Sequence, residues 1–105
     1  MTTLIVEPVD RAQQLLPLVR AAVDGEILRL ELALSLARER LMPFEQRYGV
    51  SSEHFIADMV AEDLEGGDEE YVQWAGEYRL MERLEDKLTR LQEVEYDDSG
   101  VLRPA

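Results

Sequence analysis

Two stretches of this sequence repeat apolar residues at alternating intervals of three and four, and that spacing constrains the fold more than any other feature. Between Asp24 and Tyr48 the repeat runs through Ile27, Leu30, Leu34, Ala37, Leu41, Phe44 and Tyr48. From Asp68 onward it runs through Tyr71, Trp74, Tyr78, Met81, Leu84, Leu88, Leu91 and Val94. A helix places each set on one face, and each face has to be covered. A chain of 105 residues has room for one domain with a thin core, so the two faces are expected to cover each other. The expected fold is all-α: an antiparallel helical hairpin of two long helices with a short connecting helix and a short N-terminal helix or arm. At about 1.5 Å per residue the two arms come out matched, near 35 to 40 Å each.

Punctuation residues place the boundaries. Thr2 to Val6 is short, β-branched and apolar ahead of Pro8, which reads as an extended arm over residues 1–9 or as one strand paired with another chain. Asp10 and Gln13 form a capping-box-like start, but Pro17 costs about 3 kcal/mol inside a helix. The stretch from Asp10 to Val23 is therefore expected to kink or split near Leu16, with Gly25 marking a new helix start. Pro43 lies within a pattern that continues past it and predicts a bend, and Gly49 predicts a left-handed cap. Ser51 or Ser52 then caps a short helix bearing Phe55, Ile56, Met59, Val60 and Leu64, stopped by Gly66 and Gly67. Asp68, Glu69 and Glu70 suit the positive end of the last helix. The helical domain spans 10–96, and 97–105 reads as an irregular tail.

Leu28, Leu32 and Leu36 form a second apolar row on the first arm. It is expected beside the seam, making the buried face wider than two helices need, so something further covers it.

Charge narrows the choice of partner. The formal net charge is -12, which disfavours nucleic-acid phosphates and anionic membranes and favours a basic protein surface. No apolar run approaches the roughly 20 residues of a spanning helix. No secretory signal is visible and there is no cysteine, so the cytoplasm is the expected location.

Chemistry-bearing groups are sparse. His54 is the single histidine, and Ser51 stands where a helical di-iron motif needs Glu, so His54 reads as a first-turn residue of the connector. Glu62, Asp63, Glu65, Asp68, Glu69 and Glu70 cluster, but their order matches no calcium loop, and a solvated acidic corner is expected. The Gly66 and Gly67 pair lacks the spacing of a phosphate loop. Arg79, Arg83, Lys87 and Arg90 form a basic stripe interleaved with acids, where Asp86 and Arg90 can pair four apart. No catalytic residue, cofactor or metal is expected.

The aromatic residues are the better candidates for function. Tyr71, Trp74 and Tyr78 line one helical face, where they can pack within the hairpin or meet a partner. With Phe44 and Tyr48 they form the expected set of protein contacts. The run LRLELALSLARERLMPFEQRYGVSSEHF, the turn EGGDEEY, Trp74 and the closing leucine-rich charged helix resemble small acidic helical proteins encoded beside toxin genes in bacteria and archaea. FEQRYGVSS and DEEYVQW carry most of that resemblance. It implies a non-enzymatic antitoxin that silences a small, RNA-directed toxin, whose basic surface would attract an acidic chain. Many antitoxins also carry a DNA-binding module, and none is recognisable here. A self-associating helical scaffold, dimeric through the extra leucine row, is the alternative.

Overall fold

A computed structural model describes the backbone of residues 8–96 and the side chains of 13–94. The order of elements is α1 (Pro8–Tyr48), α2 (Ser52–Asp58), a 3-10 turn (Ala61–Asp63) and α3 (Gly67–Tyr96). The expected strand or arm at Thr2 to Val6 and the irregular tail from Asp97 lie outside the described residues. Among the described residues every regular element is helical, and no helix is long and apolar enough to cross a membrane.

The two long helices pack along each other. Arg47 meets Glu70, Arg40 meets Glu77 at 2.8 Å and Arg38 meets Glu85 at 2.7 Å, so positions falling along α1 match positions rising along α3. Between them lie Leu34, Ala37 and Leu41 from α1 and Trp74, Tyr78 and Met81 from α3, all buried. Ile27 and Leu30 extend the buried face of α1 toward its N-terminus. Both expected seams are therefore the faces that meet, because removal of apolar area from water is the main force holding two helices together.

The helices are not matched in length. α1 is one helix of 41 residues against 30 for α3, with Pro17 and Pro43 inside it. The expected split near Leu16 and the helix start at Gly25 are not found: residues 8–48 are one continuous helix, and Pro8 and Val9 open the helix rather than ending an arm. Both internal prolines are solvent-exposed, and each removes one backbone hydrogen bond of the helix and presses its ring on the carbonyl four residues earlier, local costs that the continuous helix carries. At about 1.5 Å per residue α1 outruns α3 by roughly 16 Å. Counting back along α1 from the Arg40 and Arg38 ion pairs places the end of α3 opposite residues 21–27, so the N-terminal turns of α1 project beyond it.

The connector also differs from expectation. α2 ends at Asp58, Met59 turns to extended backbone at φ -104 and ψ 153, and Leu64 belongs to the stretch after the 3-10 turn. The Asp63 carboxylate accepts from the Val60 backbone N–H at 2.9 Å and starts that separate turn. Leu64 is still buried, whereas Val60 is 52% exposed. Gly49, at φ +67, closes α1 by donating its N–H to the Glu45 carbonyl at 2.8 Å, the left-handed cap its sequence implies.

Candidate functional site

The aromatic residues expected to bind a partner converge where α1, α2 and α3 meet. Trp74 is fully buried, with the Phe55 ring stacked on it at 3.9 Å between centroids and an interplanar angle of 2°. Phe44 at 5.3 Å and Tyr48 at 5.7 Å stack on the same indole, and Tyr71 tilts against Phe55 at 4.8 Å. Tyr78 is buried one turn further along α3. Phe44, Tyr48, Tyr71, Trp74 and Tyr78 thus form a core. Trp74 offers no surface to a partner in this conformation, while Phe44, Tyr48 and Tyr71 keep partly exposed edges. Phe44 borders a shallow hollow shared with Arg40, Pro43, Gln73 and Glu77.

A polar network fixes this corner. Ser51 caps α2 by accepting the His54 N–H at 3.1 Å. Ser52, buried, accepts the Trp74 indole N–H at 2.8 Å and donates its hydroxyl to Glu45 Oε2 at 2.7 Å, while its backbone N–H donates to the same oxygen. Tyr48 donates its hydroxyl to Glu70 and accepts the Glu65 N–H at 2.9 Å. Glu70 also accepts the Gly66 N–H at 2.9 Å and Arg47 Nη1 at 2.8 Å, and Arg47 Nη2 reaches Glu65 at 2.6 Å. These donors, the Tyr48 hydroxyl foremost, then the Gly66 N–H and the Arg47 charge, hold the Glu70 carboxyl below its ordinary range despite its burial. Burial, reinforced by the bond to Glu70, pushes the Tyr48 phenol up.

This network explains the sequence landmarks. FEQRYGVSS supplies Phe44, Glu45, Arg47, Tyr48, the Gly49 cap, Ser51 and Ser52, and DEEYVQW supplies Glu70, Tyr71 and Trp74. In EGGDEEY, a Cβ on Gly66 would lie 2.7 Å from the Cβ of Glu70, and Gly67 sits at φ +63. The glycine pair is therefore a tight turn folded over Glu70. Its neighbours Glu62, Asp63, Glu65, Asp68 and Glu69 are otherwise exposed, and among the described residues no three His, Asp or Glu side chains converge as metal ligands. His54 sits in the first turn of α2, exposed, 3.2 Å from Asp58. Every buried side-chain polar atom among the described residues has a hydrogen-bond partner. The corner is a structural joint whose groups are mutually satisfied.

No protein-family model, curated protein or solved structure matches this chain. The surface is therefore the remaining guide to what it does.

Two uncovered apolar features stand out, both on α1. Leu28, Leu32 and Leu36 are 66%, 63% and 43% exposed. At 100° per residue they lie on the side of the helix turned away from the buried seam, not beside it, so α3 cannot cover them. The second feature is the projecting end, where Leu15, Leu18 and Val19 are 40%, 66% and 41% exposed. These three were not among the expected contacts. Val19 alone carried a signal, the buried-face repeat, which runs on through Leu16, Val19 and Val23 beyond the reach of the shorter helix, whereas Leu15 and Leu18 lie off that face.

On α3 two members of the basic stripe are tied to acids of the same helix: Arg79 to Glu82 at 3.1 Å and Arg90 to Asp86 at 3.1 Å. Gly76 faces open space, with nothing within 4 Å of an added Cβ.

Proposed function

We propose that this chain is a non-enzymatic protein-binding module, an antitoxin-like helical hairpin that neutralises a small, RNA-directed toxin by direct binding. The exposed apolar residues at the projecting end of α1 carry the proposal: Leu15, Leu18 and Val19 lie past the end of α3, on a helix held below by its joint. Such an uncovered apolar end accepts a helix or groove of another protein. The net charge of -12 favours a basic partner, whose approach it accelerates. In this reading Trp74 and Tyr78 position the helix, and the exposed edges of Phe44, Tyr48 and Tyr71 are secondary contacts.

Co-expression with the protein encoded beside it tests the proposal. The expected result is a complex that survives purification and restores growth to cells making the toxin. Changing Leu15→Asp and Val19→Asp together is expected to abolish capture and rescue while helicity and melting midpoint stay unchanged, because neither side chain belongs to the core. No complex, or full rescue by the double variant, would contradict the proposal. A second reading, a self-associating scaffold, is favoured by the leucine row on the opposite side of α1.

A further inference from the structure

We infer that the outer face of α1 binds a second copy of this chain, helix to helix and in parallel. This goes beyond capture of a foreign protein at the projecting end: the two surfaces share Leu18, and this one centres on Leu28 and Leu32. The face has its own three-four repeat: Leu18, Ala21, Gly25, Leu28, Leu32 and Ser35. Leu18, Leu28 and Leu32 are each more than 60% exposed, and a Cβ added at Gly25 would touch only the Arg29 side chain, at 3.7 Å. Ala21, Gly25 and Ser35 are small, which lets two such helices approach closely there and interlock the leucines between them. Ser35, exposed in the single chain, marks the polar margin of the seam, and Glu39 takes the next position and ends it.

The charges beside the seam identify the occupant. Asp24 and Glu31 flank one side and Arg29 the other. A uniformly basic partner would meet Arg29, whereas a parallel second copy places each Asp24 against the other copy's Arg29, five residues on, which is the flanking pair such seams use. An antiparallel copy would instead bring Arg29 toward Arg29 and Glu31 toward acids of the same flank. Arg29 already pairs with Glu26 at 2.9 Å, but its side chain stays 71% exposed and its guanidinium has further donors. The repulsion between two copies of charge -12 is screened over about 8 Å at physiological ionic strength, while the leucines are dehydrated on contact.

The test uses the full chain alone, so its outcome is independent of whether a foreign protein is captured. Sedimentation equilibrium at physiological salt is expected to give twice the 12.1 kDa chain mass. Leu28→Glu with Leu32→Glu is expected to weaken the dimer at least about 100-fold with unchanged far-UV circular dichroism, since both side chains point to solvent in the single chain. Asp24→Arg and Arg29→Asp are each expected to weaken it, and the two together to restore it. The chain has no cysteine, so Gly25→Cys introduces a unique thiol, expected to cross-link rapidly to its counterpart under mild oxidation. A monomer at all concentrations would overturn the inference, as would a dimer indifferent to Leu28 and Leu32. Failure of the charge swap to restore association, or of Gly25→Cys to cross-link within an intact dimer, would overturn the parallel arrangement.

Discussion

Single residues decide the joint between the helices. Ser52 stands between the Trp74 indole and the Glu45 carboxylate, so Ser52→Ala strands a donor and an acceptor in a buried site at a cost of about 1–3 kcal/mol, measurable by urea denaturation. Trp74→Ala removes the ring on which three others stack and is expected to cost about 3–5 kcal/mol in the same assay. Glu70 gives a pH signature. Its folded-state pKa lies below the ordinary 4.5, so its stabilisation is complete above that pH and is lost as pH falls through the depressed value. Glu70→Gln should therefore lower the melting temperature at neutral pH, and its deficit against the native chain should shrink progressively below pH 4.5. An equal deficit at every pH would mean that the ionised form contributes nothing. The aromatic members of this joint were visible in the sequence as a face of large side chains, but their role was not. Periodicity says that Trp74 lies on a buried side without saying what it packs against. Ser52 and Glu45 bear no mark of a shared hydrogen bond, because that bond depends on how three helices meet.

At the scale of elements, the seams were legible because burial of apolar area repeats with the helical period, and Ile27, Leu30, Leu34, Ala37 and Leu41 are buried as that rule requires. Pro17 implied a kink or a split, and α1 is not split there. Propensity is a local cost that a continuous helix can carry. The missing N–H removes one bond among many, and the clash of the ring with the carbonyl four residues back is confined to one turn. The outer leucine row was visible as excess apolar surface, but sequence spacing does not say on which side of a helix its long neighbour will pack. Among the described residues α3 does not reach the projecting end to offset Pro17, so its backbone should open locally, independently of the body. Pro17→Ala is expected to slow amide hydrogen exchange across residues 13–22 by up to about 100-fold, the equivalent of about 3 kcal/mol, while leaving the global unfolding midpoint unchanged. A rise in that midpoint would show the end to be part of the cooperative unit.

The molecule is elongated, 63 × 29 × 19 Å, with an aromatic joint at one end and, among the described residues, α1 without α3 beside it at the other. Its overall architecture follows from two helical repeats of unequal reach, and the inequality produces its proposed docking end. In the proposed function the charge of -12 selects the surfaces drawn in at a distance, and the exposed leucines select what is held in contact. Hydrogen exchange of the full chain, alone and with the product of the neighbouring gene, tests this division of labour most directly. Residues 13–20 should exchange fast in the free chain and become strongly protected in the complex, while residues 70–84, already packed in the joint, change little. A complex that leaves residues 13–20 unprotected, or that protects only the joint, would contradict the assignment of α1's projecting end as the binding element.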